Sequence, residues 1–146
     1  MEDKPTLIYM KEASKQAHFF IGKSLHDAGI EDLSPQEAHI LFYLSTHEDV
    51  SSSEIRQARS VSKASVSDSL AHLVETGYIE YLSSDQDRRE KRIVLTKKGL
   101  DHQRHVGEVI RAAEKSLLNG VSEEEEAVLR KALSQIIQNA KGGEHD

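Results

Sequence analysis

Between Gly77 and Lys97 the hydrophobic pattern of this chain changes period, and that change constrains its fold more than any other feature. Tyr78-Ile79-Glu80-Tyr81-Leu82 is short and rich in aromatic and β-branched residues, which is the signature of a strand. Arg92-Ile93-Val94-Leu95-Thr96 carries a second such signature. The loop between them, Ser83 to Lys91, is polar and charged and contains neither proline nor glycine. Two strands joined this closely are expected to pair as a hairpin.

Everything around the hairpin has helical spacing. Leu7, Met10, Ala13, Ala17, Phe20, Ile21 and Leu25 recur at intervals of three and four, and Gly29 is placed to end that helix. Ser34-Pro35-Gln36-Glu37 is a strong start signal: serine caps, proline suits the first turn, and Glu37 reaches back to the capping amide. That helix continues through Ala38, Leu41, Phe42 and Leu44 to about residue 46. Ser51-Ser52-Ser53-Glu54 opens a short helix holding Ile55 and Ala58. A further helix from near Ser62 to Glu75 places Val66, Leu70, Leu73 and Val74 on one face and stops at Gly77. After the hairpin, Thr96 can cap a helix carrying Val106, Val109, Ile110, Ala113 and Leu117, which Asn119-Gly120 breaks. Ser122 to Glu125 is another capping box, opening a helix with Leu129, Ala132, Leu133, Ile136, Ile137 and Ala140 as its stripe. The tail from Gly142 to Asp146 is expected to fray.

The expected fold is therefore mainly α with a small β-hairpin, and residues 34–96 alone spell a helix-turn-helix followed by a wing. The 146 residues fit a single domain. The terminal helices are too apolar on one face to stand alone; they pack on their own winged domain or against a second copy.

Composition narrows the function. With no cysteine there are no disulfides, thiolate metal sites or thiol redox chemistry. No apolar run approaches the ~20 residues of a membrane helix, and no secretory signal is visible, so a cytoplasmic protein without a membrane partner is expected. The net charge of −6 argues at first against nucleic acid. Its distribution argues otherwise: residues 51–99 hold nine basic and seven acidic side chains, a net of +2, while the flanks hold ten and eighteen, a net of −8. The segment from Arg88 to Lys98 is the densest positive stretch. For DNA a local basic patch matters more than the global sum.

A helix that reads a major groove needs one face anchored in the core and the other short or polar. In the helix from Ser62 to Glu75, Leu70 and Leu73 share the side of Val66. Ala64, Asp68 and Glu75 lie opposite, flanked by Ser65, Ala71 and His72. The start, Ser62-Lys63-Ala64-Ser65-Val66-Ser67, is small and hydroxyl-rich, suited to phosphate oxygens; serines also cluster at such a place simply to cap a helix. Arg88, Arg89, Lys91 and Arg92 at the hairpin tip can follow a phosphate backbone or enter a minor groove, although an isolated charge run is more often a solvated loop.

The run Asp87-Arg88-Arg89-Glu90-Lys91-Arg92-Ile93-Val94-Leu95-Thr96-Lys97-Lys98-Gly99 resembles the wing signature of the MarR family of transcription regulators. Val61 to Ser67, followed by Leu73-Val74-Glu75-Thr76-Gly77-Tyr78-Ile79, is similar to that family's recognition helix and first wing strand. The resemblance implies a homodimer built by helices at about 5–28 and 97–140, with 34–96 as the DNA-binding region. It implies Ser62, Lys63, Ala64, Ser65, Ser67, Asp68 and His72 at a major groove, and Arg88, Arg89, Lys91 and Arg92 in the wing. Arg89 would enter the minor groove with Asp87 orienting it. Asp68 departs from the family pattern, because it stands where many members place arginine or a polar donor. A carboxylate there repels phosphates and accepts only from donors such as cytosine N4, so either an unusual base is read there or that part of the helix stays clear of the groove.

The resemblance also implies a small aromatic or phenolic effector in a crevice lined by His18, Phe19, Phe20, His39, Tyr43 and His102; such aromatic stripes more often pack a core. His102 and His105, three apart on one helix, are a possible zinc pair, but without a tight ligand cluster surface histidines are the better assignment and no metal or cofactor is expected. No phosphate-binding glycine loop, nucleophile elbow or HExxH stands in the chain, so an enzyme is not expected. The expectation is a DNA-binding regulator, a repressor on a pseudo-palindromic operator released by a small ligand. A winged helix kept only as a protein-interaction module is the alternative, and the intact basic wing argues against it.

Overall fold

The computed structural model describes residues 3–59, 62–82 and 91–143. The chain divides into two compact units, Met1–Ala113 and Glu114–Asp146.

The first unit opens with α1, Thr6–Asp27, which Gly29 ends in a left-handed conformation at φ 82°, as its position after the last apolar residue predicts. α2, Pro35–Thr46, starts with the full capping box. The Glu37 amide donates to Ser34 Oγ at 3.1 Å, and the Ser34 amide donates to Glu37 Oε1 at 2.8 Å. α3, Ser52–Arg59, follows directly on β1, Val50–Ser51. α4, Lys63–Glu75, is capped by Ser62, whose hydroxyl accepts from the Ser65 amide. Gly77, at φ 84°, ends it, with the Tyr78 amide donating back to Leu73 O.

β2, Ile79–Leu82, and β3, Arg92–Leu95, form the expected antiparallel pair, with Ile79 opposite Leu95 and Leu82 opposite Arg92. The sheet has a third strand that the sequence did not announce. β1 pairs with β3 through Val50 opposite Ile93, giving the order β1-β3-β2. Two residues are too short to carry a periodic signal, yet Val50 is 1% exposed and completes the sheet where it meets the core. The turn before it is held by Asp49 at φ 55°, whose carbonyl accepts from Arg92 Nη1 at 2.8 Å.

Leu25, Ile40, Leu41, Ile55, Leu70 and Leu73 are the largest wholly buried side chains, so α1 to α4 share one core with Val50, Ile79 and Val106. Val74, assigned by spacing to the inner face of α4, is exposed instead. It lies on the flank of the helix next to Leu73, where the core no longer reaches.

One junction joins the wing to α5, Lys97–Leu117. The Thr96 amide donates to Tyr78 O at 3.0 Å and its hydroxyl donates to Gly77 O. The same hydroxyl accepts from the Gly99 amide and so caps α5. Gly99 is required here because a Cβ would stand 2.2 Å from Tyr78 O. Beside it, the Tyr78 hydroxyl donates to Asp32 at 2.8 Å, and Lys98 Nζ reaches Asp32 at 3.3 Å and Thr76 O at 2.7 Å. Burial works to raise the Asp32 carboxyl, but the Tyr78 hydroxyl and Lys98 ammonium outweigh it and hold it below its ordinary value. Burial first, and then the Asp32 carboxylate, push the Tyr78 hydroxyl far up.

In the second unit, α6, Glu123–Gly143, starts with the predicted box: the Glu125 amide donates to Ser122 Oγ at 3.1 Å and the Ser122 amide to Glu125 Oε1 at 3.0 Å. The helix runs past residue 140, so Gly142 and Gly143 continue it instead of fraying; residues 144–146 lie outside the described residues. Among the described residues no helix is long and apolar enough to cross a membrane.

Two expected outcomes follow from the junction. Gly99→Ala lowers unfolding free energy in urea by about 3 kcal/mol, because a backbone carbonyl cannot yield to the new methyl group. Asp32, with its lowered pKa, contributes stability that is complete at neutral pH and lost as pH falls through the acidic carboxylate range. Asp32→Asn therefore flattens the loss of urea stability below about pH 4, with less than about 1 kcal/mol lost at pH 7 because the pair is partly exposed to solvent.

Candidate nucleic-acid interface

α4 presents two different faces. Val66, Leu70 and Leu73 are each at most 1% exposed and fix it in the core. Lys63, Ala64, Ser67, Asp68 and Ala71 are exposed on the other side. Ser62 is exposed at the cap, and the amides of Lys63 and Ala64 precede the first hydrogen bond of the helix, so the N-terminal turn offers backbone donors beside the Lys63 ammonium.

The roll of α4 about its own axis is set by two consecutive residues of α2. The Gln36 amide group, through Nε2, lies 3.0 Å from Ser65 Oγ, 2.8 Å from Ser69 Oγ and 3.3 Å from Ser65 O. Glu37, 5% exposed, uses Oε1 in the capping box and Oε2 to accept from His72 Nδ1. A carboxylate can only accept, so the bond fixes the ring hydrogen on Nδ1. Ser65, Ser69 and His72, at i, i+4 and i+7, thus form the stripe that α2 grips. Sequence periodicity places His72 among the outward residues; the structure draws its Nδ1 edge back toward α2, while part of the ring stays exposed. Ser65 is likewise only half-buried rather than fully outward.

In the wing, Lys91 is exposed, with Nζ 5.6 Å from the centre of the Tyr81 ring, and burial raises the Tyr81 hydroxyl. Arg92 is half-buried and commits one guanidinium nitrogen to Asp49 O, so part of its donor fork holds the wing to the turn before β1. Asp87, Arg88 and Arg89 lie outside the described residues.

The six residues expected at an effector crevice occupy separate places in the first unit. His18 and Phe19 line an open groove of about 640 Å³ on α1 together with Leu7, Met10 and Lys15, and Phe20 is exposed on the same helix. On α2, His39 Nδ1 donates to Pro35 O at 2.7 Å. Tyr43 stacks on His47 at 3.9 Å and donates to Glu54, and burial followed by that carboxylate raises its hydroxyl. His102 sits edge-on to Tyr78 at 5.8 Å in a cleft of about 390 Å³ shared with Asp32, Lys98 and His105. Among the described residues no three histidine, aspartate or glutamate side chains gather as a metal site.

Sequence reasoning missed Gln36 and the second role of Glu37. The capping box already accounts for Glu37, and nothing in the spacing shows that its other oxygen meets a ring 35 positions away.

A family model described as the MarR family matches residues 31–90. S. aureus MepR, solved in a complex with DNA, superposes with a TM-score of 0.83 at 22% identity, covering 94% of this chain and 99% of that one. Streptococcus pneumoniae FabT, also solved with DNA, gives a TM-score of 0.70 at 30% identity, covering 92% and 94%. A mutant MarR from E. coli complexed with operator DNA gives 0.75 at 19% identity, covering 89% and 90%. No curated protein matches by sequence. With its winged helix-turn-helix and its likeness to FabT over nearly the full length of both chains, this chain belongs to the MarR family.

Proposed function

We propose that this protein is a DNA-binding transcription regulator that acts as a homodimer on a pseudo-palindromic operator. The observation that carries this reading is α4 itself. It is anchored by Val66, Leu70 and Leu73 and exposes a short, polar opposite face with Lys63 at its N-terminal turn. Such a helix fits a major groove, and the sequence carries a basic run, Arg88 to Arg92, in and beside the segment that joins β2 to β3. Ser62, Lys63 and Ser65 make phosphate contacts, Ala64, Ser67 and Asp68 face base edges, and Arg89, oriented by Asp87, enters the minor groove. That MepR and FabT are solved in complexes with DNA supports a DNA-binding role.

The dimer follows from apolar surface left uncovered in one chain. Leu7, Phe19 and Phe20 on α1, and Val128, Leu129 and Ile137 on α6, are all at least 40% exposed. At about 25 cal/mol per Å² such faces are stabilised by covering them, and a second copy presents the same faces. Half-sites then lie about one helical turn apart. A repressor role, released when a small aromatic or phenolic effector alters the spacing of the two α4 helices, completes the proposal.

A fluorescence-anisotropy titration tests it, using duplex DNA from upstream of the protein's own gene at several salt concentrations. Wild type should outcompete random duplex with a steep salt slope. Lys63→Ala should weaken binding and reduce that slope by about 1 per subunit, and Arg89→Ala should weaken it also. No binding, or affinity indifferent to both substitutions, would replace the regulator with a protein-interaction module.

A further inference from the structure

Gln36 lies behind the reading helix and has no place in the DNA contacts above, yet its side chain fixes how one of those contacts is made. Its NH₂ group has two hydrogens and points at two serine hydroxyls, at 3.0 Å and 2.8 Å, with Ser65 O a more distant third neighbour at 3.3 Å. That carbonyl, which can only accept, requires the nitrogen end of the amide to face α4. Both hydroxyls therefore accept from Gln36. A serine hydroxyl has one hydrogen, and at Ser65 it is left to donate elsewhere. A phosphate oxygen is acceptor-only, so this is the polarity that a backbone contact needs.

We propose that Gln36 is a positioning residue for DNA recognition: it holds α4 through Ser65 and Ser69 and turns the Ser65 hydroxyl into a committed donor toward a phosphate. The inference rests on the DNA-binding function proposed above. Gln36 touches no nucleotide and acts through Ser65 alone for the polarity, through both serines for the roll of the helix.

The test is a double-mutant cycle in the same anisotropy assay, with urea midpoints recorded to confirm that each variant is folded. Gln36→Met keeps the length and helix propensity but donates nothing. It and Ser65→Ala should each raise Kd about fivefold, and together they should raise it little further, where independent effects would multiply to about 25-fold. Neither should change the salt slope, since no counterion-releasing charge is removed, in contrast to Lys63→Ala. Gln36→Glu, which reverses the polarity at constant shape, should weaken binding more than Gln36→Met, and part of its effect should vanish in the Ser65→Ala background. Multiplicative effects, or a Gln36→Met variant that binds like wild type, overturn the inference while leaving the regulator reading intact. Wild-type protein that fails to bind duplex removes both.

Discussion

Glu37 is the one charged side chain buried among the described residues, and it sits where α2 begins and α4 passes. A carboxylate removed from water is costly unless its lone pairs are met. Here the Ser34 amide satisfies one oxygen and the His72 ring the other. The same group thus starts one helix and orients the next. Removing its side chain would leave the Ser34 amide and the His72 imidazole each without an acceptor, while Ser34 Oγ would still cap the residue-37 amide. Gln36 adds its grip one residue earlier, which lets a short polar helix keep a fixed roll with only Val66, Leu70 and Leu73 in the core.

The wing obeys the same economy. Thr96 bonds with Tyr78, Gly77 and Gly99, so one residue closes the hairpin and opens α5. Asp32, Tyr78 and Lys98 brace that junction from the side. Helix α4 ends at the same place, since Lys98 also reaches Thr76 O. The start of α5 is thus bonded to the C-terminal end of α4 and to the base of the wing through the same few residues.

Local rules were enough for much of this. Capping boxes at Ser34 and Ser122, glycine stops at Gly29 and Gly77, and the change of period at Tyr78 all involve residues within four positions of one another, and the structure has each of them. What escaped the sequence depends on pairs far apart in the chain. β1 is two residues long and exists because Val50 meets Ile93. His72 aims its Nδ1 edge at α2, where Glu37 accepts from it, while part of the ring stays exposed, and Arg92 donates to the Asp49 turn 43 positions away.

The acidic sum of the chain acquires a physical sense under the proposed function. With a net charge of −6, most of the surface repels a polyanion. Residues 51–99, at +2, are the part that does not. Under the proposed function, approach through this segment would meet the least repulsion. Asp68 fits that logic. Exposed on α4 one turn beyond Ala64, it penalises every phosphate and every acceptor edge that comes near. Only a base that offers a donor relieves the penalty. If α4 enters the groove as proposed, a carboxylate at this position would lower affinity for DNA in general more than for one sequence, and so would favour selectivity over strength.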